Sequence, residues 1–514
     1  MRICAGPTSD YRVHVKNFYE PAGYSLAWIR GGQVSSQALT VIGLLQNADS
    51  KGLHAEDYDG PRWGDRLARL KQTSPPLTEE DLDHFDLALT VSLMRYISDL
   101  HIGKVNPRHF KFGLDIENKK YNLPDLLRQR IVDGQDVAAV LAEVEPQFEG
   151  YHRTIKALQS YMALARQGDG EPLPLPPKTV QPGDPYPAAR QLARRLQVLG
   201  NLPAAEASSP EGPASYTGSL VMAVRHFQRR HGLDEDGRLG RKTVAEINTP
   251  LSRRLLELEL SLERWRWVPP GFPQPPVVVN IPEFRLRAFD EQEKVALSTR
   301  VVVGKAYQHE TPVFADEMKY IIFQPYWNVP PSIQRAELVP KIRKDPAYLA
   351  RRNYEVVNKG DHVVSTGDMS ESLLAQLRSG SLSIRQRPGK ENALGPVKFI
   401  FPNEYNVYFH GTPAQALFAK SRRDFSHGCI RVQDPLALAE WVLRDKADWA
   451  ADRIKAAMKG TETVQVNLDK PIPVLIFYTT AVVLADDEVE FFDDVYGYDK
   501  DLEQTLAKGY PYPG

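Results

Sequence analysis

Ser426-His427-Gly428-Cys429-Ile430-Arg431 is the stretch from which the rest of the chain is read, and a second histidine precedes it in Phe409-His410-Gly411-Thr412. The sequence holds two cysteines, Cys4 and Cys429, and only Cys429 has a chemically interpretable setting. A thiol becomes a nucleophile when a base or a neighbouring positive charge favours the thiolate. Two imidazoles stand close by in sequence, and Gly428 removes side-chain bulk beside the sulfur. A substrate carbonyl can then approach, with backbone N–H groups facing it as an oxyanion hole. The expectation is a cysteine acyltransferase or hydrolase with Cys429 as nucleophile.

A chain of 514 residues is too long for one ordinary core, so about three or four domains are expected. Its 42% hydrophobic and 25% charged residues describe a globular protein. With 64 basic against 65 acidic residues, nothing points to a nucleic-acid partner or to a surface held to membranes by charge. Two cysteines exclude a disulfide scaffold. Cys4 is read as incidental, since Met1-Arg2-Ile3 is no lipoprotein signal. Twelve histidines show no ligand spacing, so neither a metal nor another cofactor is expected. No apolar run of roughly 18 residues occurs and no signal peptide is visible at the start. The chain is therefore either cytoplasmic or numbered from after a removed export signal.

Residues 1–168 read as a helical N-terminal scaffold. Its best helix runs Asp81 to Ile102 with Asp81 as N-cap and Gly103 as stop, and another runs from about Val137 to Arg166. Residues 169–185 form a Pro/Gly linker. A small three-helix module follows at 186–250. Its Val224-Arg225-His226-Phe227-Gln228, His231-Gly232-Leu233, Asp236-Gly237 and Gly240 pattern resembles the helical peptidoglycan-binding domain. Residues 251–275 are a connecting helix and linker. From 276 to 469 the periodicity becomes that of many short strands without βαβ alternation. A helical, basic insertion at about 330–395 interrupts them and reads as a lid, with Arg385 to Gly389 as a loop. Residues 470–514 are expected to add a hairpin to the β core and to end in a helix. The fold class is thus α+β and multidomain.

His410 closes an alternating strand, so its ring can project from the strand end into a cleft. A neighbouring strand carrying Cys429 brings the two together, and the Gly411 carbonyl or one near it can hold the other ring nitrogen. Thiols ionise readily enough that no third, acidic member is needed. Arg431 either binds a substrate carboxylate or pairs with Asp434. Tyr326 and Trp327 are either core aromatics or a platform for substrate, and Lys398 is either solvated or site-facing. Ser426 reads as a support for the turn more than as a reactive group.

His410-Gly411-Thr412, the fifteen residues Gly411 to Phe425, and then Ser426-His427-Gly428-Cys429 together resemble the catalytic domain of the YkuD-like L,D-transpeptidases. The resemblance implies Cys429 as nucleophile, His410 as general base and His427 as a second site histidine. It also implies the backbone N–H groups of Gly428 and Cys429 as oxyanion donors. Many family members carry Asn two residues after the cysteine; Arg431 in its place is similar to the large periplasmic, YcbB-like branch. Tyr326-Trp327-Asn328-Val329-Pro330, Arg385-Gln386 and Asn392-Ala393-Leu394-Gly395 look like that branch's substrate-loop motifs. Substrate contacts are thereby implied at Tyr326, Trp327, Asn328, Arg385, Asn392, Gly411, Ser426 and Arg431. The implied function is peptidoglycan 3→3 cross-linking between tetrapeptide stems through a Cys thioester, with L,D-carboxypeptidase or a non-enzymatic wall-binding role as alternatives. The implied place is the periplasm or cell envelope. Carbapenem β-lactams are the implied inhibitors and glycan-strand synthases the implied partners.

Overall fold

The structure, a computed structural model, describes residues 11–72, 76–203, 216–272, 274–367 and 369–508. Cys4 lies outside them. The chain divides into two compact units, one running to Gly271 and resuming at Tyr478, the other Phe272–Phe477. Among the described residues no helix is long and apolar enough to cross a membrane.

The first unit is helical. Its longest helix is Glu79–Ile102, and the cap is Thr78 rather than the expected Asp81. Thr78 Oγ1 accepts from the Asp81 N–H while the Asp81 carboxylate accepts from the Thr78 N–H, so Asp81 is the third helical residue of a capping box. The expected helix from Val137 to Arg166 is two, Val137–Val144 and Glu149–Gln167. Pro146 breaks it, because the residue before a proline is driven out of the helical region and Glu145 is extended at φ −61°, ψ 153°. Helices Ala189–Val198, Gly218–Arg230 and Arg241–Ile247 enclose a core of their own around Leu192, Val224, Phe227 and Val244. Leu251–Trp267 is a buried helix whose Arg264 is neutralised by Asp499 at 2.5 Å.

The second unit is built on a nine-stranded sheet. In chain order its strands are β1 (Val277–Asn280), β2 (Arg285–Phe289), β3 (Val295–Gly304), β4 (Phe314–Phe323), β5 (Val397–Ile400), β6 (Phe409–His410), β7 (Asp424–Ser426), β8 (Ile430–Val432) and β9 (Val464–Phe477). They pair in the order β7-β3-β8-β6-β5-β4-β9-β1-β2, and a further β2–β3 pairing closes the list on itself. Alternation puts Val301, Val303, Phe399, Phe409, Ile430 and Val432 into the core. The opposite side chains of β5, β6 and β8 face outward, and the site is built from them.

The C-terminal expectation needs correction. Residues 464–477 form one central strand that pairs β4 along both halves and β1 along its second half. The boundary expected at 469–470 falls inside this strand, where the β9–β4 pairing shifts register between Asn467 and Ile472. The hairpin is Ala481–Val483 with Val489–Phe491, a separate two-stranded sheet in the helical unit, packed on Tyr161 and Leu258 rather than on the β core.

The insertion between β4 and β5 is not wholly helical. Helical turns from Pro331 to Lys344 and a helix Glu371–Ser379 pack on a four-stranded antiparallel sheet of 327–328, 383–386, 354–357 and 363–365. Arg385 and Gln386 are strand residues, opposite Asn328 and Trp327, not loop residues as expected. The insertion has its own core of Leu338, Ile342, Leu349, Val356, Leu377 and Ile384. Buried Gln334 ties helix to sheet by donating to the Leu377 and Leu382 carbonyls and accepting from the Ile384 N–H.

Candidate functional site

Cys429 immediately precedes β8, which runs parallel to β6 with Phe409 beside Ile430 and His410 beside Arg431. The Ile430 N–H donates to the Tyr408 carbonyl at 3.2 Å, so Cys429 stands next to Tyr408. On the far side of β6, Lys398 of β5 is the register partner of His410. Side chains two residues apart share a face. Cys429 and Arg431 on one strand, Tyr408 and His410 on the next, and Lys398 beyond them therefore occupy one face. His410 lies on the diagonal from the sulfur.

The half-buried sulfur stands against Tyr408, whose N–H and hydroxyl both favour its thiolate, and it reaches the Asn406 carbonyl at 3.7 Å. Asn403 builds the turn that presents that carbonyl, its Nδ2 donating to Val407 O (2.8 Å) and its Oδ1 accepting from Val407 N–H (3.1 Å). Burial pushes the Cys429 thiol above its ordinary range; the Tyr408 hydrogen bonds and the charges of Arg431 and Lys398 oppose it without cancelling it. Burial, then the charges of Arg431 and Lys398, lower His410 to about 3 against the pull of the Gly411 and Leu394 carbonyls. At neutral pH the resting pair is thus a thiol and a neutral imidazole. His410 Nδ1 meets the Gly411 carbonyl at 2.5 Å; a carbonyl only accepts, so the proton sits on Nδ1 and Nε2 is the basic nitrogen.

The loop bearing the sulfur is braced from within. Gly428 has φ +113°, a conformation L side chains rarely adopt, although a Cβ there would meet nothing nearer than 3.9 Å. Its carbonyl accepts from Thr311 Oγ1 at 2.7 Å. Its N–H donates to Ser426 Oγ at 3.2 Å, and Ser426 Oγ donates to the Cys429 carbonyl at 2.5 Å. Ser426, 2% exposed, is turned into the loop rather than toward a substrate, and the Gly428 N–H expected to face an oxyanion is engaged by it.

The other expected site residues fall into two groups. His427 is exposed, 4.8 Å from the His309 ring between centroids, and its Nε2 meets Glu337 Oε1 of the insertion at 2.7 Å. Arg431 does not pair with Asp434, which caps helix Pro435–Val442 through Ala437 N–H; its Nε is buried without a hydrogen-bond partner. Tyr326 is exposed beneath the Arg385 guanidinium, 4.5 Å from its ring, and Arg385 is also bonded to Glu355. Asn328 is exposed on the edge strand next to it. Trp327 instead packs on the core of the insertion, and Gly411 is buried, its N–H donating to Val397 O at 3.1 Å. Asn392 is 1% exposed, donates to the Pro325 and Arg387 carbonyls and accepts from Leu394 N–H, so it holds the loop together and faces no substrate. Sequence reasoning missed Tyr408, Glu337 and Thr311. Only Tyr408 carried a signal: it stands two residues before His410 on the same strand face.

Residues 275–476 match the YkuD L,D-transpeptidase catalytic domain, residues 186–247 a putative peptidoglycan binding domain, and residues 13–158 a scaffold domain. The chain thus carries an L,D-transpeptidase catalytic domain together with a peptidoglycan-binding domain. It is 30% identical over 227 residues to a putative L,D-transpeptidase of Haemophilus influenzae, a match over 44% of this chain and 45% of that protein. The chain therefore spans less than half the length of the curated relative. Two solved L,D-transpeptidase structures are also similar. That of Xylanimonas cellulosilytica has TM-score 0.18 and 17% identity, with 59% of this chain and 100% of that one covered. That of Stackebrandtia nassauensis has TM-score 0.23 and 13% identity, with 58% and 94% covered.

Proposed function

We propose that this protein is a peptidoglycan L,D-transpeptidase that forms 3→3 cross-links between stem peptides. The observation that carries the reading is the placement of Cys429 against Tyr408, on the face it shares with His410, Arg431 and Lys398, inside the matched catalytic domain.

In the first half-reaction the Cys429 sulfur attacks the carbonyl carbon of the third residue of a tetrapeptide stem. His410 Nε2 takes the thiol proton as the S–C bond forms, since neither group ionises alone at neutral pH. The Cys429 N–H is the donor this loop can turn on the oxyanion, because the Gly428 N–H is engaged by Ser426. Collapse breaks the C–N bond, and His410 returns the proton to the departing D-alanine amine. In the second half-reaction the side-chain amine of another stem attacks the thioester. The new C–N bond forms, the S–C bond breaks, and the amine proton passes through His410 to sulfur. No cofactor or nucleotide takes part. Arg431, with Nε unpartnered, and Lys398 supply positive charge where the thiolate develops and where the D-alanine carboxylate would lie.

The same reading makes Cys429 the site of carbapenem acylation. It also sets the protein to work on the wall, in the periplasm or cell envelope, with residues 186–247 holding it to the polymer. The deciding experiment is muropeptide analysis after incubation with disaccharide-tetrapeptide. Dimers linked 3→3 with the wild type and none with Cys429→Ala are expected. Tripeptide alone would make the protein an L,D-carboxypeptidase, and unchanged substrate would leave only wall binding.

A further inference from the structure

We infer that a basic cleft beside the catalytic face is the subsite for the carboxylates of the acceptor stem, an inference that rests on the transpeptidase reading above. The cleft, of about 640 Å³, is lined by Arg285, Ser298, Arg300, Gln415 and Gln433, among others. That volume suits a small polar ligand or a peptide end.

Its position follows from register. Arg431 pairs with Val302, the Gln433 N–H donates to the Arg300 carbonyl at 3.0 Å, and Arg300 pairs with Arg285. Cys429, Arg431 and Gln433 alternate along one chain segment, so the cleft continues the face that holds the sulfur. Four residues at about 3.3 Å place it ~13 Å from Cys429.

Its charge is in excess. Glu283 is shared between Arg285 (2.9 Å) and Arg287 (2.6 Å). The lining itself holds two guanidiniums, Arg285 and Arg300, against one carboxylate, Asp434, which also caps helix Pro435–Val442 through the Ala437 N–H. Arg300 is exposed, and among the described residues it has no carboxylate within ion-pair reach; one guanidinium nitrogen donates to the Phe418 carbonyl at 3.1 Å. Nearby Arg423 is lowered to about 10 by burial and by the charges of Arg300 and Arg285. An exposed guanidinium with open donors beside a second one is suited to a carboxylate.

Distance selects the stem. The donor's D-alanine carboxylate lies one residue from the scissile carbonyl and stays beside Arg431. The acceptor presents its amine at the end of a diamino-acid side chain. Its stem carboxylates then lie that side chain plus one or two residues away, on the order of 10–13 Å at the reach of an extended chain.

The test separates the half-reactions. Burst release of D-alanine from a tetrapeptide donor reads acylation, and incorporation of a labelled second stem reads transfer. Arg300→Gln, and R285Q/R300Q together, are expected to leave the burst rate within about twofold of wild type and to raise the acceptor KM tenfold or more. Wild-type acceptor KM should also rise with salt, and the double variant's should not. A matched fall in the burst would move the cleft to the donor, and an unchanged acceptor KM would leave it without a stem; either overturns the inference. If wild type releases no D-alanine, the transpeptidase reading itself fails. Fluorescent disaccharide-tetrapeptide binding to the Cys429→Ala protein then decides for the cleft alone, with weaker binding by the additional R300Q expected and equal binding overturning it.

Discussion

His427 Nε2 and Glu337 Oε1 meet at 2.7 Å, joining the loop that bears the nucleophile to the insertion between β4 and β5. Glu337 sits in the helical turns Gln334–Leu338, and Lys341 one turn on is 3.6 Å from its other oxygen. Both partners of the pair are more than a third exposed, so it adds at most about 1 kcal/mol to stability. Its consequence is positional: it ties the insertion to the cysteine loop, the contact a lid over that loop would need. A lid that excludes water favours transfer to an amine over hydrolysis. Glu337→Ala is expected to leave melting within about 2 °C, and to raise the ratio of tripeptide to 3→3 dimer several-fold. An unchanged product ratio would remove the lid role.

Tyr408 favours the thiolate of Cys429 through two groups, its N–H and its hydroxyl. Only the second can be deleted by mutation. A hydrogen bond to a charged partner contributes about 1.5–3 kcal/mol, so Tyr408→Phe should slow acylation roughly 10–100-fold. The thiol's apparent pKa should rise further, because the hydroxyl favours the thiolate. Iodoacetamide alkylation followed against pH reads both effects. A Tyr408→Phe profile that overlays the wild type would mean the hydroxyl does not serve the sulfur.

How much of this was legible depends on whether the determinant is local. Cys429, Gly428 and Arg431 are contiguous, and His410 sits at a strand end that period-two alternation reveals. Tyr408 is open to the same alternation, two residues before His410. Glu337 is 90 residues from His427 in sequence, and only the fold of the insertion joins them. The insertion's sheet was hidden for the same reason. Gln386 pairs with Tyr354 on one side and Trp327 on the other, and neither contact leaves a trace beside the loop-like Pro388-Gly389. Asn392 has the composition of a substrate contact. What spends it is the backbone of Pro325 and Arg387, brought to it by tertiary structure. The boundary expected at 469–470 falls inside one long strand, Val464–Phe477, whose two halves share only their pairing to β4.

The buried His410 gives the catalytic unit a defined acid response. Its value falls from 6.5 in the unfolded chain to about 3 in the fold, through burial first and the neighbouring cations second. Between those values the unfolded chain binds the proton and the folded one does not. Stability is therefore undiminished above pH 6.5 and declines as pH falls toward 3, by an amount on the order of a few kcal/mol. His410→Gln removes this loss, so its chemical-denaturation midpoint should fall less steeply between pH 6.5 and 3. The wild-type acylation rate should likewise show no acid limb near pH 6–7, since the imidazole is already neutral there. Parallel midpoint curves, or an acid limb near 6.5, would show that His410 protonates freely.

The tautomer of His410 depends on a contact that involves neither the cysteine nor a substrate. Its Nδ1 proton is held by the Gly411 carbonyl, and Gly395 lies directly behind that peptide. Gly395 has φ +64°, and a Cβ there would sit 2.7 Å from both Gly411 C and Thr412 N. The obstruction is backbone, so it cannot rotate away, and the Gly411 peptide must shift instead. Asn392 fixes this turn from the other end through the Gly395 N–H to Asn392 O bond at 2.9 Å. Gly395→Ala therefore combines left-handed strain with a clash, costing about 1–3 kcal/mol of stability. The sharper consequence is for catalysis. Once the Gly411 carbonyl turns away, the Nδ1–H tautomer loses its clamp and Nε2 is no longer held as the acceptor. Acylation of Cys429 by a carbapenem, followed by intact mass, should slow at least tenfold, while alkylation by small iodoacetamide above the thiol's own titration, where no base is needed, should stay within about twofold. If both reactions slow together, the glycine serves only the fold, and the turn from Asn392 to Gly395 has no part in aligning the base.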